Sequence, residues 1–359
     1  VPRYNGGAYG SRPDKLSMKG DLEHFIESNA LEFHASVEKW KNPLMIDEID
    51  NPDLLRTGWD LIIDIDCDID FQLAKDTAEL IIDKLEEHGV NSVGVKFSGN
   101  RGFHLSIKGE AFPDTIREEA YSNLYPELAE KLIAFIRSEL EEDMKQAVRR
   151  NGYEKQMQTQ DQGEDPYQVS DIEQGWTSRH LFRMPYSLHS GSGLVSLPIP
   201  KNEIQEFQKK DAKIENVIPR HQFFIEPETD EAEQLLQATL EYADNNPDEF
   251  KTSYSRDSDA EFEAPDQAIP EEMFPPTIKE ILKGLDDGRK RGLFILIKFL
   301  QCTGWDWPQI REGIHKWNQR NNPSLEEGVI EQQITYHQNK GKELPPPNFD
   351  ARGYYKDMQ

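Results

Sequence analysis

Between Trp59 and Ile107 the spacing of apolar residues changes from segment to segment. Leu61-Ile62-Ile63-Asp64-Ile65-Asp66 is a short β-branched run of the kind that makes a buried strand. Leu73, Ala74, Thr77, Ala78, Ile81 and Leu85 then recur at helical spacing, and Gly89 stands where a C-cap belongs. Ser92 to Phe97 returns to alternation, residues 98–102 turn, and Phe103 to Ile107 forms another strand. The predicted order is β-α-β-β, closed by a tight turn. Residues 1–50 read as an irregular or partly helical lead-in, loosened by Gly6, Gly7 and Gly10. Residues 114–125 and 126–150 read as helices, with Pro126 tolerated in a first turn. Residues 151–170 are a polar excursion, and 181–184 and 194–199 are strands separated by a Gly-Ser-Gly turn.

Farther along, acids crowd the chain at Glu226, Glu228, Asp230, Glu231 and Glu233, with Pro227, Pro247, Pro265 and Pro270 interspersed. This predicts an acidic linker over 226–271, holding at most one helix near Leu235 to Tyr242. A compact all-helical unit follows, with helices marked by Ile278 to Leu285, Leu293 to Leu300, Trp307 to Trp317 and Ile330 to Tyr336. The expected domains are therefore 1–225, the linker 226–271, and 272–359.

The 359 residues leave room for two or three cores, and a 30% charged composition gives a very polar surface. No apolar run approaches the roughly 18–20 residues of a membrane span, so no membrane partner is expected. The chain begins at Val1 without a methionine, and a trimmed product is expected. Cys67 and Cys302 are too few and too far apart for a disulfide framework or a cysteine-rich metal site, which fits a reducing, cytoplasmic compartment. The net charge of -26 opposes any nucleic-acid role unless cations are gathered in one cleft or salt screens the excess. Acid spread along so much of the chain fits a high-salt interior. Folding and activity followed against KCl should both rise with salt; a stable, fully active protein without added salt would reject this.

Three clusters carry candidate chemistry. In Asp64-Ile65-Asp66 the two carboxylates lie on one side of a strand, and their repulsion is naturally relieved by a hard divalent cation. The alternative is a strand end with solvated acids. Ser98-Gly99-Asn100-Arg101-Gly102-Phe103-His104 is a glycine turn whose amides, with Arg101 and His104, can meet an anion. A plain hairpin turn is the other possibility. In the segment 178–189, Arg183, Ser187 and His189 can reach one phosphate tail, and Asp171 upstream is either a third metal ligand or a surface acid.

Taken together and in this order, the three motifs resemble the archaeo-eukaryotic primase small subunit, of the archaeal type. That family has an Asp-x-Asp strand, a Ser-Gly-x-x-Gly-x-His loop, and a later Asp followed by Ser-x-His. The likeness covers roughly residues 55–200. It implies an α/β fold with an RRM-like palm, mixed sheets and flanking helices. It also implies a DNA primase-polymerase in which Asp64, Asp66 and Asp171 hold two Mg²⁺ or Mn²⁺ ions. Ser98, Arg101, His104, Arg183, Ser187 and His189 would grip the incoming nucleoside triphosphate. Single-stranded DNA template and primer-template duplex would be the partners of a chain expected to be monomeric. The family's zinc-binding knob has no counterpart, so no zinc is expected. An upstream pair that touches the ribose has at most a remnant, Arg3-Tyr4.

The tail resembles, more loosely, the C-terminal domain of the primase large subunit. Phe274-Pro275-Pro276-Thr277-Ile278, then Gly288-Arg289-Lys290-Arg291, then Pro345-Pro346-Pro347-Asn348-Phe349 carry that likeness. Thr277 and Phe349 stand where that family has cluster cysteines, so no iron–sulfur cluster is expected. Arg289, Lys290 and Arg291, with Tyr336, His337 and Lys340, would hold template and the 5′-triphosphate of the initiating nucleotide. The alternative for the basic run is a solvated helix end. Trp305, Trp307 and Trp317 are read as core. Two rival functions remain: a gap-filling or repair polymerase, and a non-catalytic nucleic-acid-binding subunit.

Overall fold

The computed structural model describes the chain except residues 5–9, 11–12, 47–51, 160–162, 176–179, 248, 251–264, 266–267, 286–287 and 341–359. The chain divides into two compact units, Val1–Pro247 and Asp248–Gln359.

In the first unit the elements run β1 (Pro2–Tyr4), α1 (Lys19–Glu27), β2 (Ala30–Ser36), β3 (Glu38–Trp40), β4 (Arg56–Trp59), β5 (Leu61–Asp66), α2 (Phe71–Glu87), β6 (Gly94–Phe97) and β7 (Gly102–Ile107). They continue through β8 (Thr115–Ile116), β9 (Glu119–Ala120), α3 (Glu127–Arg150), β10 (Asp171–Ile172), β11 (Leu181–Arg183), β12 (Pro198–Ile199) and α4 (Glu233–Asn245). The α/β class and the β-α-β-β core stand as expected, and every pairing among the described strands is antiparallel.

The central sheet has the order β10-β5-β7-β6-β12. Strand alternation sends Ile63, Ile65, Phe103, Leu105, Val95 and Phe97 to one face, all in the same buried cluster as Leu73, Ile81 and Leu85 of α2 and Leu132 and Ile136 of α3. Burying this face is the main stabilising term of the unit. Asp70 caps α2 by accepting from the Gln72 amide, and Gly89 (φ +87°) follows its end, as the sequence predicts. The same alternation gives the opposite face Asp64, Asp66, His104 and Lys96.

Three parts of the first unit depart from expectation. The lead-in is partly helical at α1, as expected, but it also carries strands: β1 and β2 form a second sheet with β11 in the order β1-β2-β11. Its signal was hidden because Glu32, a charged residue, occupies a fully buried position in β2. Residues 114–125 are no α-helix but a β8-β9 hairpin, turning through Arg117 and Glu118 at positive φ and followed by one 3-10 turn at Tyr121–Asn123. The acidic stretch expected as linker from 226 is packed at its start. Ala232, Leu235 and Leu236 enter the main core, because one face of α4 is apolar despite its acidic flank.

The second unit holds the four expected helices: α5 (Pro276–Leu282), α6 (Arg289–Cys302), α7 (Trp307–Asn318) and α8 (Glu327–Lys340). Ile281, Leu293, Leu296, Ile314, Trp317, Ile330 and Ile334 make its core. Trp317 donates its indole N–H to the Ile281 carbonyl at 2.8 Å, a packed tryptophan with its polar edge satisfied. Among the described residues, no helix is long and apolar enough to cross a membrane.

Candidate active site

The acids meet through strand register. β10 pairs antiparallel with β5, placing Asp171 opposite Asp66 and Ile172 opposite Ile65. The Glu173 amide then bonds the Asp64 carbonyl at 3.0 Å. Asp-x-Asp on one strand thus faces Asp-x-Glu on its neighbour, and side chains two apart share a side. Glu173 was missed in the sequence reading, although Asp171-Ile172-Glu173 repeats the spacing of Asp64-Ile65-Asp66. The crowding shows in protonation: Asp64 is pushed up to about 8, first by burial and then by Glu173 and Asp66. Glu173 is raised as well, by burial and then by Asp171 and Asp66.

Cations close the edge of this cluster. Arg101 bonds Asp66 through two nitrogens and also reaches Asp68. Arg137 of α3 lies over the Tyr167 ring at 4.0 Å, donates to the Ile172 carbonyl at 2.6 Å, and sits 3.3 Å from Asp171 Oδ1. Among the described residues no three of His, Cys, Asp or Glu stand in a ligating arrangement. Arg101 therefore faces the acids here, not the phosphate position expected of it.

The glycine turn presses against the third motif. Gly99 has φ +102°, and a Cβ there would stand 2.9 Å from His189 Cβ. A Cβ on Gly102 would stand 1.7 Å from the Ile65 carbonyl oxygen, so only glycine lets β7 close on β5. Ser98 fastens the turn, its amide bonding the Gly102 carbonyl at 3.0 Å and its hydroxyl accepting from the Gly102 amide at 3.3 Å. Ser192 donates to the Gly99 carbonyl at 2.5 Å, tying the 189–193 turn to the loop.

Both candidate histidines have one ring nitrogen committed. His189 Nδ1 accepts from the Gly191 and Ser192 amides, each at 3.1 Å, which leaves the proton on Nε2. His104, opposite Asp64 in the β5-β7 register, is buried with Nε2 3.4 Å from Asp64 Oδ1. Burial, then Lys96 and Arg183, push its ring well below the ordinary histidine range, so the imidazole is neutral. His189 is also lowered, by burial and then Arg183.

The second sheet supplies the remaining cations. Glu32, fully buried on β2, pairs with Arg183 of β11 at 3.0 Å and Arg3 of β1 at 3.4 Å. It also accepts from the Ser190 amide at 2.6 Å. Burial works against its charge, but Ser190, Arg183 and Arg3 together hold its carboxyl below the usual range. Glu32 thus anchors Arg183 and the start of the His189 turn; one acid in residues 30–36 was its sole trace in the sequence. Ser187 does not line this cleft. Its hydroxyl is buried, accepting from the Phe33 amide at 2.8 Å, because the chain after β11 must be pinned to β2.

In the second unit Lys290 is exposed at the start of α6, and Arg289 donates to the Pro323 carbonyl at 3.0 Å. His337 is not on that surface. It falls on the apolar face of α8 with Ile330 and Ile334, is buried, and packs its ring 5.6 Å from Phe294. The side chains of Tyr336 and Lys340, and the 345–349 segment, lie outside the described residues.

Asp64, Asp66, Asp171 and Glu173 thus lie on neighbouring strands, with His104 across from Asp64 and the glycine turn packed against His189. Residues 63–200 match the DNA primase small subunit family. Asp64, Asp66, Asp171 and both histidines fall inside the primase match, while Arg3 and Glu32 lie outside it. An uncharacterized protein of Methanocaldococcus jannaschii, MJECS07, is 24% identical over 228 residues, an alignment covering 60% of this chain and 46% of that protein. The chain thus spans about half the length of that curated relative. The polymerase domain of Mycobacterium tuberculosis Ligase D, solved in complex with DNA, aligns with a TM-score of 0.34 at 15% identity, over 61% of this chain and 63% of that one.

Proposed function

We propose that the first unit is a DNA primase-polymerase, joining nucleotides on a single-stranded DNA template. The observation that carries this reading is the meeting of Asp171 and Glu173 with Asp64 and Asp66 beside the His104 loop, within the stretch matched by the primase family. The donor set fits Mg²⁺ or Mn²⁺: hard carboxylate oxygens, crowded enough to keep a proton on Asp64 when no cation is near. Two such ions would supply the Lewis acidity that activates a primer 3′-hydroxyl and steadies the departing pyrophosphate. The protein's own part is to hold and orient. Asp64, Asp66 and Asp171 would hold the ions, with Glu173 beside them. Arg183 and the Nε2–H groups of His104 and His189 donate to the triphosphate. Arg101 is paired with Asp66, and with Asp66 engaged by a cation it would be free to turn toward the phosphates. Against a net charge of -26, the hydrogen-bond donors of this cleft, Arg183 and the two imidazoles, would have to offset the repulsion of polyanionic substrates, or salt would have to screen it.

The second unit we assign to initiation. Arg289, Lys290 and Arg291 at the start of α6 offer cations to template or to a 5′-triphosphate, and a tether to the catalytic unit raises their effective concentration there. Purified protein given single-stranded DNA, free nucleotides and Mg²⁺ or Mn²⁺ should make short primers de novo, with ribonucleotides and deoxynucleotides compared in parallel. Extension of an annealed primer without de novo products would favour the gap-filling reading. No product in either assay would leave only the nucleic-acid-binding one.

A further inference from the structure

Asp64, His104 and Lys96 form one row across the central sheet, Asp64 opposite His104 in the β5-β7 register and His104 opposite Lys96 in β6-β7. Lysines usually extend their amines to water. Lys96 is fully buried instead. Its Nζ lies 2.9 Å from His104 Nδ1 and 2.8 Å from Ser196 Oγ, and the rings of Phe223 and Phe182 flank it at 5.2 and 5.7 Å. The Ser196 hydroxyl donates to the Phe97 carbonyl, so its oxygen must accept from Lys96. Burying an amine in a sheet face is costly, and an aliphatic chain of the same length would fill the space between these rings without that penalty. The one neighbour that gains function from the amine is His104. Were Lys96 the donor in its contact with Nδ1, the ring proton would be confined to Nε2, 3.4 Å from Asp64.

We infer that Lys96 is a positioning residue: by donating to Nδ1 it locks His104 as the Nε2–H tautomer and keeps a hydrogen-bond donor aimed at the place where the acids and the triphosphate meet. His189 reaches the same state by a different route, through backbone amides. The site thus presents two neutral imidazoles, both as Nε2–H donors. This deepens the polymerase reading and rests on it for the nucleotide, but the tautomer can be read without turnover.

The test is long-range ¹H–¹⁵N NMR of labelled, metal-free protein, combined with nucleotide kinetics. Wild type should show His104 protonated at Nε2 alone. Lys96→Met, which preserves length and apolar packing, should give a mixed or reversed tautomer. It should also raise the KM for nucleotide by about tenfold, the effect of losing one aligned hydrogen bond, with a smaller change in kcat. Wild-type His104 carrying its proton on Nδ1, or on both nitrogens, overturns the inference even if Lys96→Met does not fold. An unchanged tautomer in folded Lys96→Met overturns it as well. An Nε2–H signal that depends on Lys96, in a protein that neither binds nor joins nucleotides, supports the lock and removes the polymerase reading instead.

Discussion

Replacing Asp64 with asparagine is expected to lower nucleotidyl transfer at least about a thousandfold while leaving the metal-free fold as stable as before, or more so. The first effect follows from position. Asp64 is the innermost acid, flanked by His104 across one strand pair and by Glu173 across the other. On the proposed role, the variant would lose an ion ligand at the reacting phosphate and with it several kcal/mol of transition-state stabilisation, and about 4 kcal/mol corresponds to that factor. The second effect follows from sign. Asp64 is shifted from 3.8 up to about 8, so the folded protein binds this proton more tightly than the unfolded chain does. Wild-type stability from this group is therefore greatest near or below pH 4 and is lost as pH rises toward 8. Asparagine has no such dependence. In metal-free urea melts the variant should be level with wild type near pH 4 and gain on the order of 1–3 kcal/mol by pH 8, a figure reduced because the carboxyl is partly solvated. The same proton competes with cations, so wild type should bind Mn²⁺ more weakly as pH falls below 8, with proton release on binding. A variant that still extends primers, or that loses stability at pH 8, would reject this assignment.

The sequence revealed the part of the site that lies on regular strands and left out the part that depends on pairing. Asp64, Asp66 and His104 were legible because strand periodicity alone places them, and the glycines around them announced a turn that other residues cannot make. Asp171 was joined to Asp64 and Asp66 only by the family resemblance, since register between distant strands is not written in local spacing. Glu32 and Lys96 were harder for a shared reason. Each is a charged residue at a buried strand position, where a pattern of apolar alternation reads it as an interruption. In both cases the polar group finds partners far along the chain, Ser190 and Arg183 for Glu32, Ser196 and Phe223 for Lys96. Helical spacing proved the more robust guide in the second unit, where all four helices were legible but the burial of His337 required knowing which face of α8 packs inward.

Glu32→Ala is expected to be the most destabilising single change at the site, and it acts on nucleotide binding through the same contacts. The carboxylate is fully buried and joins β2 to β11 through Arg183, to β1 through Arg3, and to the 189–193 turn through the Ser190 amide. Removing one partner of a buried ion pair leaves the other charge desolvated and uncompensated, which typically costs roughly 3–5 kcal/mol. Arg183 is itself largely shielded, so it cannot recover its hydration without moving away from the cleft. Equilibrium urea unfolding should show that loss for Glu32→Ala and a smaller one for Glu32→Gln, which retains an acceptor for Ser190 but not the charge. In whatever fraction remains folded, nucleotide KM should rise more than kcat falls, because Arg183 and His189 lose their anchor while Asp64, Asp66 and Asp171 stay on the central sheet. A change confined to kcat would place Glu32 with the acids, not with the phosphate donors. A change in neither stability nor KM would mean that the second sheet does not build this site at all.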